Sequence, residues 1–306
     1  MKYGFFLPQM GAAAGPDALV RVATRAEELG YDSLWVTERL LCPTSPRTPY
    51  AGTADGSLPE AYRIVLDPIE ALTYVAARTS RIGLGTSVLV MPYYHPVMLA
   101  RRLTTLDVLS NGRLRVGIGQ GWSEDEMEAA GASLKGRAAR ADEFIQVLKA
   151  IWTTDPVEFS GRFFKVAKSS IQPKPVQKPH PPIYLAAFSP GALKRAATLA
   201  DGWQPVGLPL EVIKQMLEGF RGMAKQAGRD PAVLRVVMRG NLEISEKPVG
   251  GEGRFPFVGS LDEIRSDVEA MRDLGVDELI FDVTLSADGA TVEGYLRRME
   301  QLRELA

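Results

Sequence analysis

The chain of 306 residues contains one cysteine, Cys42, and two histidines, His95 and His180. A single cysteine excludes an intrachain disulfide, and two histidines cannot build a histidine-rich metal site. We therefore expect no metal in the functional site. Chains without disulfides are typical of reducing compartments, so we also expect a cytoplasmic protein.

An excess of charge of one sign and long apolar runs are also missing. The 36 Lys and Arg residues balance 37 Asp and Glu residues, which gives a net charge of −1. Nucleic-acid binding leaves a basic excess that this chain lacks. No apolar run approaches the roughly 20 residues of a membrane span. The start, MKYGFFLPQM, is broken too early by Pro8 for a signal peptide. We expect neither nucleic acid nor a membrane as a partner.

Short apolar runs alternate with helical patterns along nearly the whole chain, as in repeated βα units. The predicted strands are Tyr3–Leu7, Ser33–Thr37, Ile82–Met91, Leu114–Ile118, Ile183–Ala187, Gly202–Pro205, Leu234–Arg239 and Glu278–Val283. The predicted helices are Pro16–Leu29, Asp67–Thr79, His95–Leu109, Glu124–Trp152, Gly191–Leu199, Leu210–Gln226, Leu261–Leu274 and Val292–Leu305. This count favours an α/β fold, a closed (β/α)8 TIM barrel forming a single domain over residues 1–306. An open doubly wound sheet is the alternative, but the first strand lacks a Gly-x-Gly-x-x-Gly turn.

Two segments are insertions beyond the eight repeated βα units of a barrel. Residues 38–66, after the second strand, are rich in Pro, Gly, Ser and Thr. A connection of this length inside a domain is usually functional, so we interpret it as a loop or lid. Residues 153–182, after the fourth helix, comprise a small hairpin (Val157–Phe159 with Phe163–Val166) and the proline-rich connector IQPKPVQKPHPP.

Two consecutive strands end in small residues, in Gly85–Pro92 (GTSVLVMP) and Gly117–Trp122 (GIGQGW). Ligands of parallel α/β proteins bind at the carboxyl ends of the strands. Glycine inside a strand indicates close approach of a flat ligand, or tight packing between strands. Ser123 and Glu126 then form a predicted capping box that occupies the amides of the next helix, so a phosphate is not expected there.

A better phosphate site follows the fifth strand, where Ser189 and Pro190 begin a helix as N-cap and first residue. Its first turns carry Lys194 and Arg195 and no acid, and the positive end of such a helix suits a phosphate. The alternative is a well-capped helix with solvated basic residues.

Glu38 and Arg39 close the second strand at the same edge. A glutamate there is a candidate acid, base or hydrogen-bonding group, and an arginine can hold an anion. A surface ion pair between these neighbours is the alternative. We expect His95 to cap a helix, His180 to be structural and Trp203 to lie in the core.

The chain resembles the luciferase-like monooxygenase superfamily in SLWVTER, GTSVLVMPYYHPVMLARRLTTLDVLSNGRLRVGIGQGW, VEFSGRFFKV and PPIYLAAFSPGALKRAATLADGW. It is most similar to the coenzyme F420-dependent oxidoreductases, over residues 1–305. The resemblance implies a TIM barrel that holds a flavin-type ring at its C-terminal face. The expected cofactor is F420, with FMN as the alternative, and the expected assembly is a homodimer that acts on a small molecule.

The resemblance also assigns site residues. A cis peptide between Ser87 and Val88 would support the ring. The ring-contacting turn is Gly119–Trp122, with Gln120, Gly121 and Trp122 as contacts. The segment that cradles the cofactor phosphate comprises Ala186, Ala187, Phe188, Ser189, Pro190 and Gly191.

Two departures from the family bear on the reaction. Relatives that oxidise sugar phosphates carry an Asp-His pair where this chain has Glu38-Arg39, and a catalytic glutamate where it has Trp122. We therefore expect hydride transfer between F420 and a small organic substrate, with Glu38, Tyr50 or Tyr62 as proton donor. The alternatives are an FMN-dependent monooxygenase and a non-catalytic flavin-binding barrel. A barrel hydrolase or aldolase would need a metal cluster or a strand-end lysine, and neither is apparent.

Overall fold

The computed structural model describes residues 1–251 and 254–305, in which strands and helices alternate as expected. The strands are β1 (Lys2–Phe6), β2 (Ser33–Val36), β3 (Gly83–Thr86), β4 (Leu89–Val90), β5 (Leu114–Gly119), β6 (Val157–Ser160), β7 (Lys165–Ser169), β8 (Ile183–Leu185), β9 (Gly202–Trp203), β10 (Arg235–Asn241), β11 (Glu243–Ile244), β12 (Val258–Gly259) and β13 (Glu278–Asp282). The helices are α1 (Pro16–Glu28), α2 (Pro68–Ala76), α3 (Pro96–Leu109), α4 (Glu124–Ala129), α5 (Arg137–Thr153), α6 (Pro190–Leu199), α7 (Leu210–Gln226), α8 (Leu261–Asp273) and α9 (Val292–Arg303).

Parallel strands close into a barrel. The strand order is β3-β2-β1-β13-β10-β9-β8-β5-β4, and a further pairing of β3 with β5 joins the two ends. Because β3 and β4 occupy one position, eight positions surround the axis. This confirms the (β/α)8 TIM barrel. The barrel strands are almost wholly buried, as expected of a parallel sheet covered by helices.

The predicted third strand is interrupted where the cis peptide was expected. β3 ends at Thr86, β4 begins at Leu89, and the peptide between Ser87 and Val88 is cis. The Thr86 hydroxyl donates to the Gly117 carbonyl at 2.7 Å and accepts from the Gly117 amide at 2.9 Å. A Cβ on Gly117 would lie well under 3.0 Å from the Thr86 carbonyl oxygen. Position 117 therefore requires glycine, because β3 and β5 approach each other too closely there for a side chain.

The prediction of one helix over Glu124–Trp152 was wrong. The chain forms α4 and α5 instead, separated by a turn that contains Gly131 at φ +64° and Gly136 at φ +76°. Both glycines adopt the left-handed conformation, which ends one helix and starts the next. After α5, the expected hairpin is present as antiparallel β6 and β7.

Hydrogen bonds connect the long segment 38–66 to α4. The Arg47 amide and Nε donate to the Asp125 carboxylate at 3.0 and 2.8 Å, and the Glu124 amide donates to the Thr48 hydroxyl at 3.1 Å. Since α4 follows the end of β5, this segment lies at the C-terminal edge of the barrel strands. No helix within the described ranges is long and apolar enough to cross a membrane.

Local capping follows the sequence closely. Asp67 caps α2 through a hydrogen bond from the Ile69 amide at 2.9 Å. His95 caps α3, where Nδ1 accepts from the Val97 amide at 3.3 Å, so the expectation for this histidine is confirmed. Trp203 is fully buried and donates to the Ala187 carbonyl at 3.0 Å, as expected of a core residue.

Substitution of Gly117 tests the packing between β3 and β5. Gly117→Ala places a methyl group against the Thr86 carbonyl, which is backbone and cannot move aside. We expect a loss of about 2 kcal/mol or more in the free energy of unfolding, measured by urea denaturation. The matched control is Gly222→Ala in α7, where an added Cβ meets nothing within 4 Å and should stabilise the helix. Equal stability of Gly117→Ala and the wild type would contradict this account.

Candidate active site

The ends of the barrel strands bring chemically useful side chains together. Glu38 and Arg39 follow β2, Gln120–Trp122 follow β5, and Ala186–Gly191 follow β8. All three segments lie at the C-terminal edge, because the strands are parallel.

Glu38 is buried and hydrogen-bonded on both carboxylate oxygens. Its Oε2 accepts from the Val90 amide at 2.6 Å, and its Oε1 accepts from the Tyr94 hydroxyl. Burial raises the pKa of Glu38 to about 7, although the bonds from Tyr94 and Val90 act in the opposite direction. The carboxyl group therefore titrates near neutral pH, as a group that exchanges protons during catalysis should.

Arg39 lies apart from Glu38. Its guanidinium carbon lies 4.7 Å from the ring centroid of Tyr62 and 4.9 Å from that of Trp122. Its Nη2 is 2.9 Å from Oε2 of Glu126, and both of these side chains are buried. The alternative of a surface ion pair between Glu38 and Arg39 is therefore wrong, since each side chain is buried with partners of its own.

Only half of the predicted capping box of Ser123 and Glu126 is present. Ser123 does cap α4, because its hydroxyl accepts from the Glu126 amide at 3.4 Å. The Glu126 carboxylate does not return to Ser123. It accepts from the amides of Leu40 at 2.6 Å and Leu41 at 3.3 Å, and from the Tyr93 hydroxyl at 3.1 Å. A buried carboxylate gains more from these several donors and from Arg39 than from the single backbone amide of Ser123.

Two tyrosines of the 38–66 segment extend the cluster around Arg39. The Tyr62 hydroxyl donates to the Tyr50 hydroxyl at 3.0 Å, and the Tyr50 ring lies 5.5 Å from the Trp122 ring. Burial raises the pKa of Tyr62, and the positive charges of Arg239 and Arg39 offset only part of this effect. Tyr62 is therefore protonated at neutral pH. The phenol bound to Glu38 is Tyr94, not either of these candidates.

Arg239, at the end of the barrel strand β10, was missed by the sequence reasoning. Its Nε donates to Oδ2 of Asp282 at 2.8 Å, and its Nη1 donates to the carbonyl of Ser87 at 3.1 Å. The guanidinium carbon also lies 4.3 Å from the ring centroid of Phe6. The available signal was a charged residue in the C-terminal half of each of two strands, Arg239 in β10 and Asp282 in β13. Arg239 therefore holds the backbone carbonyl of Ser87 at the cis peptide.

Val88 lies across the ends of the neighbouring strands. A Cβ added to Gly119 would be 2.8 Å from Cγ2 of Val88 and 3.6 Å from Cβ of Ala186. The side chain of Val88 is partly exposed, whereas Ser87 is buried. Gly121 has φ +67°, and its carbonyl accepts from Arg137 of α5. Val88 thus offers a small apolar surface at the barrel mouth.

The start of α6 agrees in part with the expected phosphate site. Ser189 is the N-cap, its hydroxyl accepts from the Ala192 amide at 3.4 Å, and Pro190 is the first helical residue. Gly191 faces open space, since an added Cβ meets nothing within 4 Å. Arg195 is not a free cation, because it is buried and pairs with Asp142 of α5. Only the exposed Lys194 keeps the expected role of a solvated basic residue.

Several buried amide atoms at the mouth have no hydrogen-bond partner. They are Nε2 of Gln120, both polar side-chain atoms of Gln204, and Oδ1 of Asn241, at the ends of β5, β9 and β10. Each unpaired buried group costs about 1–3 kcal/mol, so a ligand that pairs with several of them gains this energy. A flavin-type ring, with donors and acceptors along its pyrimidine edge, fits this set. Gln204, which follows β9, and Asn241, the last residue of β10, were also missed.

Metal-binding side chains are not clustered. Across residues 1–251 and 254–305, no group of three or more His, Cys, Asp or Glu side chains is arranged to hold a metal ion. The described side chains of the mouth include the buried carboxyl group of Glu38, two arginines paired with Glu126 and Asp282, aromatic rings and unpaired amides.

Curated proteins related to this chain include flavin and deazaflavin enzymes. An uncharacterised protein of Mycobacterium tuberculosis is 35% identical over 233 residues, 75% of this chain and 80% of that protein. An F420-dependent glucose-6-phosphate dehydrogenase of Amycolatopsis mediterranei is 35% identical over 193 residues, 62% of this chain and 53% of that protein. An FMNH2-dependent dimethylsulfone monooxygenase of Pseudomonas putida is 32% identical over 155 residues, 50% and 42% of the two chains.

A solved structure and a family model match the chain over most of its length. The crystal structure of a monooxygenase from Streptomyces bottropensis superposes with a TM-score of 0.79 and 26% identity, covering 99% of this chain and 98% of the other. The sequence profile described as luciferase-like monooxygenase matches residues 1–249. The chain therefore belongs to the luciferase-like monooxygenase family.

Proposed function

We propose that this protein is an oxidoreductase that transfers a hydride between coenzyme F420 and a small organic substrate. The observation that carries the proposal is Glu38, a buried carboxyl group with a pKa of about 7 at the barrel mouth. Two-electron chemistry on a carbon substrate needs a proton partner, and Glu38 is a buried carboxyl group whose pKa allows it to act as one near neutral pH. The relative named as F420-dependent supports the choice of cofactor.

The cofactor would bind at the barrel mouth. Val88 and the turn Gln120–Trp122 would contact the ring, and the unpaired amides of Gln204 and Asn241 would bind its polar edge. The amides at the start of α6, beside Ser189 and Gly191, would hold the phosphate. When bound, the deazaflavin supplies or accepts the hydride.

Glu38 would donate the proton of the reaction, and Tyr94 would stabilise the charge that this leaves on Glu38. In the direction of reduction, protonated Glu38 gives its proton to the substrate atom that gains negative charge. The Tyr94 hydroxyl, already bound to Oε1, would stabilise the resulting carboxylate. The hydride and this proton together account for the two electrons and two hydrogens of the reduction.

A second candidate function is an FMN-dependent monooxygenase, which the FMNH2-dependent relative favours. The same amides and the same helix start would suit that cofactor. A purely flavin-binding barrel is less well supported, because burying an ionisable carboxyl costs stability that binding alone does not require.

Cofactor titration separates these candidates. We expect oxidised F420 to quench the tryptophan fluorescence of the purified protein with a dissociation constant near or below about 1 μM, as for specific sites. FMN should bind at least about tenfold more weakly. If FMN binds and F420 does not, the proposed cofactor is wrong.

The phosphate site is tested at Gly191. Gly191→Glu adds a negative charge to the first turn of α6, where open space accommodates the side chain. We expect the dissociation constant of F420 to rise about three- to tenfold, because the charge opposes the phosphate at the helix start. Gly191→Ala is the matched neutral control. The phosphate-free ring system of the same cofactor should bind both variants equally. Equal affinity of both variants for F420, or an equal loss of affinity for the phosphate-free probe, would contradict a phosphate at the start of α6.

Glu38→Gln tests the titration near neutral pH. Because the pKa of Glu38 rises from 4.5 to about 7 on folding, the native state retains a proton that the unfolded state releases. The wild type should therefore lose about 3 kcal/mol of unfolding free energy, relative to Glu38→Gln, as pH rises from about 5 to about 8. Reduction catalysed by the wild type should also decline as pH rises through about 7.

Urea denaturation and steady-state rates between these pH values measure both effects. Glu38→Gln keeps an acceptor for the Val90 amide and should fold, with a reduction rate that is low and independent of pH. Parallel pH profiles of the two proteins would show that Glu38 does not titrate in this range.

A further inference from the structure

The surroundings of Tyr94 carry an inference about how the proton of Glu38 is replaced, and it rests on the proposed function. We propose that the Tyr94 hydroxyl relays protons to Glu38 from the exposed carboxyl groups of Asp67 and Glu70. Glu38 would give its proton to the substrate at the mouth and would regain one from solvent through Tyr94. Tyr94 would thus act through Glu38 rather than on the substrate itself.

Tyr94 is the hydrogen-bond partner of Glu38 that can exchange a proton. Within the described ranges, the Glu38 carboxylate has two donors, the Val90 amide at Oε2, at 2.6 Å, and the Tyr94 hydroxyl at Oε1. A backbone amide only donates, whereas a phenol hydroxyl both donates and accepts. Glu38 itself is only 9% exposed, so solvent has little direct access to it. A proton that replaces the one lost from Glu38 therefore arrives through Tyr94.

The hydrogen bond between Glu38 and Tyr94 can run in either direction. When Glu38 is ionised, the Tyr94 hydroxyl donates to Oε1. When Glu38 is protonated, its own O–H can donate to the phenol oxygen, and the phenol hydrogen turns away. Burial, followed by the charge of Glu38, raises the pKa of Tyr94, so the phenol is neutral in both arrangements.

One relay step moves a single proton and no electrons. The Tyr94 oxygen accepts a proton from an external acid while the phenol hydrogen passes to Oε1 of Glu38. The carboxylate becomes a carboxylic acid, the external acid loses one proton, and the phenol is unchanged. Glu38 is then ready to donate again.

Tyr94 connects Glu38 to the starts of α2 and α3. Tyr94 is only partly buried, and its ring centroid lies 6.0 Å from the guanidinium carbon of Arg102 in α3. Nη2 of Arg102 lies 3.4 Å from Oδ1 of Asp67 and contacts Glu70, both at the start of α2. The side chains of Asp67 and Glu70 are 46% and 64% exposed. The route therefore leads from a buried carboxyl group to solvent between two helices of the outer ring.

The charges along the route suit proton delivery. Burial, together with the bond shared with Glu70, raises the pKa of Asp67, so Asp67 holds a proton at higher pH than a solvated aspartate does. Asp67 is also close enough for its charge to raise the pKa of both Glu38 and Tyr94. The other charged groups that act on these two residues are Glu126, which pairs with Arg39, and Arg102.

Time-resolved infrared spectroscopy tests the relay on the full-length protein without a cofactor. A laser flash releases protons from a caged acid at a starting pH of about 8, where Glu38 is mostly ionised. The carbonyl stretch of protonated Glu38, identified by its absence in Glu38→Gln, reports proton uptake. We expect uptake in Tyr94→Phe to be at least about tenfold slower than in the wild type, because a positioned proton-transfer group is lost.

The matched control is Tyr74→Phe. Tyr74 is exposed on α2, where Arg78 lies against its ring, so the same chemical change there should leave the rate of uptake unchanged. A purely structural role of Tyr94 would change the final amount of protonated Glu38 but not the rate. An uptake rate in Tyr94→Phe equal to that of the wild type would therefore overturn the proposal.

A second variant decides if Tyr94→Phe does not fold. Asp67→Asn keeps a good cap for α2 but removes the acid at the outer end of the route. Its proton uptake should also be slower than in the wild type, and an unchanged rate would overturn the relay. Uptake that depends on Tyr94 in a protein that binds neither F420 nor FMN would refute the proposed function and leave the relay in place.

Discussion

The buried charge of Arg239 is the constraint on which the barrel mouth depends. A guanidinium inside a barrel is tolerated only where acceptors surround it, and here they are Asp282 on the neighbouring strand and the carbonyl of Ser87. The ion pair with Asp282 joins β10 to β13, and the hydrogen bond from Nη1 of Arg239 reaches Ser87, in the gap between β3 and β4. The position of Val88 at the mouth follows from that bond, and so does the start of β4, whose Val90 amide binds Glu38.

Glu38 and Arg39 show how two adjacent residues acquire separate chemistry. Glu38 contacts Val90 and Tyr94, whereas Arg39 contacts Tyr62, Trp122 and Glu126. Separation keeps the Glu38 carboxyl away from a direct cationic partner, which would have lowered its pKa. Two adjacent residues thus occupy separate environments at the same edge of the barrel.

Features set by neighbours in sequence could be predicted, and features set by distant partners could not. The βα alternation, the caps at Asp67, His95 and Ser189, and the barrel all follow from local patterns. Glu126 has the spacing of a capping box, but its carboxylate binds amides some 85 residues away. The role of Gly117 depends on a carbonyl of another strand. Arg239 was overlooked because its partners Asp282 and Ser87 are 43 and 152 residues distant.

The most direct test of the central claim is a crystal structure of the protein with F420 bound. The account predicts that the ring lies against Val88 and pairs with the amides of Gln204 and Asn241, with the phosphate at the start of α6. A ring bound outside the barrel mouth, or one that leaves these amides unpaired, would contradict the account.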